Sequence, residues 1–303
     1  MHKLPFDKPG RFYRGNLHTH STDSDGVLSP EDVCKFYREN GYDFLAVTDH
    51  FMERFDWPIS DTTPYRNDDF TTIIGAELHP RKTEFGNYWH ILAVGLPLDF
   101  APYKDGETAA EVATRALAAG AFVALAHPQW YTLTEADVIS LGDVHAIETF
   151  NSGGEITEMG DSWHYIDLMS MRGRRYGGVA GDDAHFNKDD YLGGWVMVRS
   201  TSLDPDALLE ALKNGHYYSS TGITIHDVQI TADTVRVRCS PAELVILRGS
   251  AFGPKGPIFA HERGYGLTEV ELDRTRIRDF GRIIVRGADG SHAWTNPLWF
   301  NGA

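Results

Sequence analysis

The chain has 303 residues, of which 42% are hydrophobic and 23% are charged, as in an ordinary folded globular protein. This length allows either one large α/β barrel or two domains with a well-buried core. Acidic residues outnumber basic ones by 43 to 28, and the resulting net charge of -15 argues against a nucleic acid polymer as partner, because phosphate backbones need basic surface. A small anionic substrate fits this charge only if bound cations dominate the local field.

Cysteine content and hydropathy indicate the compartment. Cys34 and Cys239 lie far apart, which predicts reduced core thiols rather than a disulfide or a zinc–thiolate site. The N-terminal residues lack the apolar run of a signal peptide, and no segment is apolar over the length of a membrane span. We therefore expect a cytoplasmic protein that does not associate with membranes.

The first segment with chemical content is 15–26, GNLHTHSTDSDG. His18 and His20 alternate with Thr19 on a predicted strand over 17–20, which puts both imidazoles on one face, and Asp25 follows in the turn. Such a pair suits one metal ion, although it also occurs among ordinary polar residues of half-buried strands. Its significance depends on what recurs downstream.

Helices and strands then alternate along the chain. Ser29 and Pro30 predict a helix start, and Asn40-Gly41 predict its end. Further helices are predicted over 107–119, 161–172 and 205–213. A buried strand, DFLAVTDH, ends in His50. The later predicted strands are TTIIGAELHP, NYWHILAVG, AFVALAHP, DVHAIETFN, RYGGVAGDDAH and GGWVMVRS.

Two features of this pattern define the predicted architecture. A polar connection over 81–87 predicts that the strands around Glu77 and His90 are antiparallel, within an α/β barrel or open sheet. From residue 223 onward, short alternating runs without a convincing helix predict a small all-β, sandwich-like domain. The expected domains are thus 1–222 and 223–303. Arginines on the later strands, including Arg248 and Arg286, are interpreted as solvated charges that protect strand edges.

Histidine and carboxylate side chains recur at successive predicted strand ends. If these strands form one barrel, the side chains converge at a single mouth, and so many imidazoles and carboxylates together require cations. Mixed nitrogen and oxygen donors favour Zn, Mn or Fe over Ca or Mg. The candidate metal ligands are His18, His20, Asp25, His50, Glu77, His90, His127, Asp183 and His185.

Six of these segments, in this order, resemble the signature segments of the PHP (polymerase and histidinol phosphatase) superfamily. They are HTHSTDSDG, AVTDH, GAELH, the histidine before ILAVG, AHP and DDAH, and the resemblance covers about residues 14–221. It implies a distorted (β/α)7 TIM-like barrel that holds two or three metal ions at the carboxyl ends of its strands. The tail that ends in AWTNPLWF looks like the C-terminal extension of the branch that includes carbamate-hydrolase-like members.

The resemblance also implies how the ligands divide among the metals. His18, His20, Glu77 and Asp183 would hold one ion; Glu77 would bridge to a second ion held with His90 and His127. A third ion would be held by Asp25, His50 and His185. The D-x-H spacing to His185 favours Asp183 over its neighbour Asp182. At the reaction centre we expect Glu77, His90, Asp183 and His185.

Charge and motif content then indicate a reaction class. Two close cations lower the pKa of a shared water and neutralise developing negative charge, and no GxSxG or catalytic cysteine motif competes with this mechanism. We expect a metal-dependent phosphoesterase that acts on a small phosphorylated metabolite or nucleotide. An alternative is an ester, carbamate or amide hydrolase, with Trp57, Trp89, Trp130 or Trp163 in a leaving-group pocket; another is a non-enzymatic, metal-stabilised scaffold.

Substrate contacts are predicted on weaker grounds. Asn151 ends the strand ETFN and would point to the mouth, while Arg54 and Arg81 are candidate phosphate contacts. Each is also compatible with a structural or solvated role. His79, in ELHP, is expected only to shape the pocket rim. The oligomeric state has no signature in the sequence.

Overall fold

The computed structural model describes residues 4–254 and 256–300, which form a mixed α/β structure with two large sheets and short helices. Over these residues, no helix is long and apolar enough to cross a membrane. The helices are α1 (Pro30–Glu39), α2 (Ala109–Ala118), α3 (Glu135–Ser140), α4 (Ser152–Glu155), α5 (Trp163–Met171) and α6 (Pro205–Lys213).

The strands fall into two sets along the chain. Ten strands precede α6: β1 (Arg11–Asn16), β2 (Phe44–Leu45), β3 (His50–Phe51), β4 (Thr71–Thr72), β5 (Gly75–Leu78), β6 (Ile91–Val94), β7 (Phe122–Leu125), β8 (Ala146–Asn151), β9 (Gly177–Gly181) and β10 (Trp195–Ser200). Seven follow it: β11 (Tyr217–Ser220), β12 (Ile225–Ile230), β13 (Thr234–Gly253), β14 (Gly256–Asp273), β15 (Phe280–Arg286), β16 (His292–Thr295) and β17 (Leu298–Trp299).

These strands build one sheet of six strands and one of eleven. The six-stranded sheet has the order β3-β5-β6-β7-β8-β9. The larger sheet runs β12-β13-β15-β16-β11-β10-β1-β2-β4, and β14 and β17 join it at β13 and β15. The pairing of β11 with β16 makes the larger sheet continuous across the boundary predicted at residues 222 and 223.

Helix limits follow the local signals in the sequence. Ser29 caps α1 by accepting a hydrogen bond from the Asp32 N–H, and α6 covers the predicted range 205–213. Both α2 and α5 form inside their predicted ranges, with a capping box at Thr108 that starts α2. The short helices α3 and α4 were not predicted, because one or two turns leave little periodicity.

Strand limits differ more from the sequence-based predictions. Residues 17–20 are not a strand: β1 ends at Asn16, whose side-chain Oδ1 accepts the His18 N–H at 2.9 Å in place of a strand partner. The buried run DFLAVTDH contains only β2 and the first residue of β3. After residue 223 the runs are not all short, because β13 and β14 span 20 and 18 residues and pair as a long antiparallel ribbon.

Backbone hydrogen bonds connect the two sheets beyond the named strands. The N–H groups of Ala46 and Thr48 donate to the carbonyls of Asn16 and Thr19, and the Glu77 N–H donates to Asp49. On the other side, the His20 N–H donates to the Ala184 carbonyl at 2.9 Å. The segment that follows β1 is therefore held between the end of β2 and the end of β9. This arrangement brings the polar ends of distant strands together.

Candidate metal centre

The two histidines of the HTH motif are held by backbone pairing on both sides of the segment after β1. Thr19 bridges Ala184 in parallel, and the Asp183 N–H donates to the His18 carbonyl at 2.9 Å. Both imidazoles are fully buried, and their ring centroids lie 5.3 Å apart. The geometry that the sequence suggested, two neighbouring imidazoles, is present, although it arises from a bridge rather than from a continuous strand.

The two adjacent aspartates after β9 point to different surroundings. Asp183 Oδ1 lies 2.9 Å from His20 Nε2 and 3.3 Å from His18 Nε2. Asp182 instead accepts hydrogen bonds from Asn16, from the Tyr37 hydroxyl and from three backbone N–H groups after residue 191. Asp183 has a φ of 56°, a left-handed conformation that is costly for a residue with a side chain and is often found at functional sites.

Glu77 occupies the middle of the cluster. Its Oε1 lies 2.8 Å from His90 Nδ1 and 3.3 Å from His127 Nε2. Its Oε2 lies 2.7 Å from His50 Nδ1 and 3.2 Å from His79 Nε2. The antiparallel pairing of β5 with β6, as predicted, places His90 beside this carboxylate. A fully buried carboxylate with imidazoles at both oxygens is suited to bridge two cations.

A third group forms at the outer edge of the cluster. Asp25 Oδ1 lies 3.3 Å from His50 Nε2 and 3.3 Å from His185 Nε2. The His185 ring stacks on His20 with centroids 4.2 Å apart. The structure thus brings all nine predicted ligands into one cluster, although they come from segments between residues 18 and 185.

His79 belongs to the same cluster, which the sequence interpretation did not anticipate. Its Nδ1 lies 3.0 Å from the Trp89 carbonyl, and a carbonyl oxygen only accepts, so Nδ1 carries the proton. The lone pair of Nε2 is then directed to Glu77 and to His50 Nδ1, which is 2.8 Å away. This arrangement is the usual one for a metal-binding histidine. The one sequence feature that indicated this position was the ELHP motif. A histidine two residues after Glu77 on an extended strand lies on the same face as Glu77.

The donor set fits divalent cations. Several groups of nitrogen and oxygen atoms lie within 4.8 Å of one another, and their members are His18, His20, Asp25, His50, Glu77, His79, His90, His127, Glu148, Asp183 and His185. Within the described residues, the buried His18 Nε2 and Glu77 Oε2 have charged or polar atoms close by but make no hydrogen bond of suitable geometry. Buried polar atoms without partners are costly, and a cation would satisfy these lone pairs.

Charge coupling keeps the central carboxylates ionised. Burial acts to raise the pKa of Glu77, but His90, His79 and the other neighbouring imidazoles lower it well below the ordinary value. Burial, together with the nearby His50 and His185, lowers the pKa of His20 to about 3. Anionic carboxylates and a neutral imidazole are the forms that bind metal ions.

A cavity of about 630 Å³ opens above this cluster, and we call it the metal-centre cavity. Six predicted ligands line it, while His18, His20 and Glu77 lie beneath. The other lining residues include Arg54, Trp130, Tyr131 and Lys188. Lys188 was not predicted; its position three residues after His185 was the available signal. The cavity therefore combines buried ligands with cationic and aromatic side chains near its mouth.

The three predicted substrate contacts occupy different places. Arg54 lines the metal-centre cavity, with Nη2 3.9 Å from Asp25 Oδ2. Arg81 is exposed and does not line it; its guanidinium carbon lies 5.2 Å from the Tyr88 ring centroid. Asn151 is fully buried beneath the cluster, where its Nδ2 donates to Glu148 Oε2 at 2.9 Å and to Asp183 Oδ2 at 3.4 Å. Asn151 thus contacts two carboxylates of the cluster and is absent from the cavity wall.

Glu148 is a further buried carboxylate at the base of the cluster. Its Oε1 lies 2.9 Å from His18 Nδ1, and its Oε2 accepts the His127 N–H at 3.0 Å. Glu148 thus orients the His18 imidazole from below, in the manner of the outer carboxylates that fix metal-bound imidazoles, and holds the backbone of His127 in place.

Comparison with known proteins supports a shared fold. No protein-family model matches the chain, and no curated protein matches it either. A two-domain protein from Bacteroides vulgatus that contains a predicted PHP-like metal-dependent phosphoesterase aligns over 97% of this chain and 98% of its own, with a TM-score of 0.55 and 16% identity.

Two further solved structures align less closely. An amidohydrolase from Chromobacterium violaceum, solved with sulfate and no metal, has a TM-score of 0.44 at 16% identity and covers 58% of this chain and 89% of its own. A proposed metal-dependent phosphoesterase from Bifidobacterium adolescentis has a TM-score of 0.45 at 16% identity and covers 66% and 96%. The chain thus shares its fold with the Bacteroides vulgatus protein over nearly its whole length, in agreement with the PHP resemblance of its motifs.

Proposed function

We propose that this protein is a metal-dependent phosphoesterase that hydrolyses a small phosphorylated metabolite or nucleotide. The observation that carries the proposal is the convergence of all nine predicted ligands in or beneath the wall of a cavity that Arg54 and Lys188 also line. The ligands would supply bound cations, and the two basic side chains would bind phosphate oxygens. The fold shared with a protein that contains a predicted PHP-like phosphoesterase supports the same reaction class.

We assign the ligands to two or three ions as the family resemblance implies. One ion would be held by His18, His20, Glu77 and Asp183, and a second by Glu77, His90 and His127. A third would be held by Asp25, His50 and His185, and we add His79, through Nε2, to the ligands near Glu77 and His50. The mixed nitrogen and oxygen donors favour Zn, Mn or Fe.

The roles of the protein groups follow from their positions. Bound divalent cations supply Lewis-acid chemistry, by which they lower the pKa of water and neutralise charge developing on the phosphate. Glu77, His90, Asp183 and His185 would stand closest to the reacting atoms. Arg54 and Lys188 would orient the phosphate from the mouth. Tyr131 stacks on His90 with ring centroids 4.1 Å apart and would exclude water from that side of the site.

Three features of architecture and location accompany this function as proposals. The hydrogen bonds on both sides of segment 16–20 support a closed, distorted (β/α)7 barrel. The continuous strand content after residue 223 supports a β domain over 223–303 beside a barrel domain over 1–222. Cys34 and Cys239 are buried free thiols, which supports a cytoplasmic location.

One observation favours a second candidate, hydrolysis of a carboxylic ester, carbamate or amide. Trp130 and Tyr131 line the metal-centre cavity and offer an apolar surface for a leaving group. The other tryptophans considered from the sequence, Trp57, Trp89 and Trp163, are not among its lining residues. The phosphoesterase remains our first choice because Arg54 and Lys188 add positive charge at the mouth.

A chromogenic substrate panel tests the proposal. Hydrolysis of p-nitrophenyl phosphate, bis(p-nitrophenyl) phosphate and p-nitrophenyl acetate is measured with added Mn, Zn or Fe for the native protein and for His18→Ala. His164→Ala, which changes an exposed histidine outside the cluster, is the matched control. Metal-dependent phosphate ester hydrolysis that is lost only in His18→Ala supports the proposal. Acetate hydrolysis without phosphate ester hydrolysis supports the carbonyl alternative instead.

A further inference from the structure

A second cavity, of about 280 Å³, has a different set of lining residues from the metal-centre cavity. It opens between α5 and the face formed by β13, β15 and β16. None of the nine predicted metal ligands lines it. The lining residues are Asp161, Trp163, Leu244, Ile246, Arg248, Arg282, Ile284, Arg286, His292 and Trp294. We call it the arginine cavity.

The strand register arranges its floor in three rows. Arg248 pairs with Arg282 in one row and Ile246 with Ile284 in the next. In the third row Leu244 pairs with Arg286, which in turn pairs with His292 on β16. Residues two apart on a strand share a face and lie about 7 Å apart. The floor therefore has an apolar middle row with guanidinium groups at both ends.

Two buried donors of this cavity have no acceptor among the described residues. Arg282 is only 3% exposed; its Nε and Nη2 donate to Asp167 at 2.8 and 3.1 Å, whereas Nη1 has no partner. Trp163 Nε1 is also buried without a partner. The Arg282 guanidinium carbon lies 4.6 Å from the Trp163 ring centroid, so the two donors belong to stacked neighbours. Such donors favour an acceptor supplied from outside the chain.

The carboxylates of the protein limit the charge of that acceptor. Asp167 Oδ2 also lies 3.0 Å from Arg248 Nε, and Glu243 Oε1 lies 2.6 Å from Arg286 Nη2. Asp161 itself lines the cavity and is engaged at Oδ1 by the Trp163 backbone N–H. Because each guanidinium already faces a carboxylate, a multiply charged anion would be repelled, while a single carboxylate with an apolar body matches the floor.

We propose that the arginine cavity binds a small organic monocarboxylate. Its carboxylate accepts hydrogen bonds from the guanidinium and indole donors, and its apolar body packs on Ile246, Ile284 and Trp294. The site joins α5 to the strands that follow residue 223, so a bound carboxylate stabilises that junction by mass action. This site is separate from the proposed hydrolase centre and does not depend on it.

Calorimetric titration of the full chain tests this proposal, with benzoate as the probe and benzamide as its uncharged counterpart. We expect benzoate to bind the native protein and to raise its melting temperature, and benzamide to bind about tenfold more weakly or less. Arg248→Gln should weaken benzoate binding by about tenfold, since this side chain lies in the row of Arg282, is partly exposed and can be lost without disturbing the core. Ile246→Phe, which fills the apolar row, should abolish binding.

Control variants separate this site from other anion sites. Arg236→Gln removes an exposed arginine of β13 outside the cavity and should leave benzoate affinity unchanged. Titrations with and without Mn should give the same affinity, since the metal centre contributes nothing. The proposal is overturned if benzoate does not bind, if benzamide binds equally well, or if folded Arg248→Gln and Ile246→Phe bind like the native protein. Binding that requires Mn overturns it as well.

Discussion

Carboxylates meet basic side chains at both cavities, but their partners differ. In the metal-centre cavity, Glu77 and Asp183 face imidazoles, whereas in the arginine cavity Asp167 and Glu243 face guanidinium groups. An imidazole is neutral or charged according to its surroundings, while a guanidinium is always charged. The first cluster therefore leaves lone pairs for a cation, and the second leaves donors for an anion.

This contrast separates two uses of buried charge. Paired guanidinium and carboxylate groups compensate each other within the chain and tie α5 to β13 and β15. Clustered imidazoles and carboxylates compensate each other only in part, and bound cations would satisfy the lone pairs that they leave free. The guanidinium–carboxylate pairs contribute to stability, whereas the metal-centre cluster would contribute to chemistry. Five predictions, in order of decreasing expected effect, test the two sites and one histidine outside them.

Glu77→Gln should cause the largest loss. The change keeps the size of the side chain but removes the charge that faces His50, His79, His90 and His127. Metal affinity and phosphate ester hydrolysis should therefore fall by more than about a hundredfold, which is the largest loss usual for residues that only orient metal ligands. Bound metal is measured by mass spectrometry after dialysis. Glu262→Gln, on the exposed face of β14, is the control. Full metal content in Glu77→Gln would contradict the assignment of Glu77 as the bridging ligand.

Asp167→Ala should lower the free energy of unfolding by about 3 kcal/mol, because it leaves the buried Arg282 guanidinium without a counter-charge. Glu243→Ala should cost less than about 1 kcal/mol, since its partner Arg286 keeps about a third of its side chain exposed. Urea denaturation measures both. Equal costs for the two variants would contradict the view that buried compensation holds α5 to the sheet.

Asn151→Ala should weaken metal binding by about tenfold, because Asn151 supports Glu148 and Asp183 from beneath without lining the cavity. Titration of the metal-free protein with Mn measures the change. Asn214→Ala removes a half-buried amide at the end of α6, outside the cluster, and serves as the control. If KM for substrate rises instead while metal affinity is unchanged, Asn151 contacts substrate, as the sequence interpretation first suggested.

Lys188→Ala should raise KM for a phosphate ester by about tenfold with a smaller change in kcat, as expected for a group that binds phosphate in the ground state. Steady-state kinetics with saturating metal measures both constants. Lys35→Ala, an exposed lysine on α1, provides the comparison. An unchanged KM in Lys188→Ala would favour the carbonyl alternative, which needs no cation at the mouth.

The smallest effect concerns His145, which lies in neither cavity wall. Its Nδ1 accepts the Val123 N–H at 3.1 Å, and burial together with Lys213 lowers its pKa below the ordinary 6.5. The unfolded state therefore binds the proton first as pH falls, so this contribution is present above pH 6.5 and is lost below it. His145→Asn should flatten the pH dependence of unfolding by less than about 1 kcal/mol, after solvent screening. Urea denaturation from pH 8 to about pH 5 measures it.

Much of the centre was predictable because its residues follow strand ends. The HTH motif, Glu77, His90, His127 and the DDAH segment were all identified from local patterns of apolar runs followed by polar residues. The antiparallel pairing of β5 and β6 followed from the polar connection between them. These features depend only on neighbours in sequence, which is why the sequence alone indicated them.

Features that depend on distant pairing were not predictable. Local alternation gave no sign that β1 would end at Asn16 and that segment 17–20 would pair by a single bridge to Ala184. The length of the β13–β14 ribbon depends on register across the turn, and the burial of Asn151 depends on a contact with Asp183. The arginine rows are visible only once β13, β15 and β16 are aligned.

The bridge between Thr19 and Ala184 also sets when the centre can exist. During synthesis the first histidines leave the ribosome long before Asp183, which lies 163 residues after His20. Until that later segment emerges, neither the backbone pairing that fixes His18 and His20 nor their carboxylate neighbour is in place. Any metal ions would therefore be acquired late in the synthesis of each chain, after all six strands of the smaller sheet have been made.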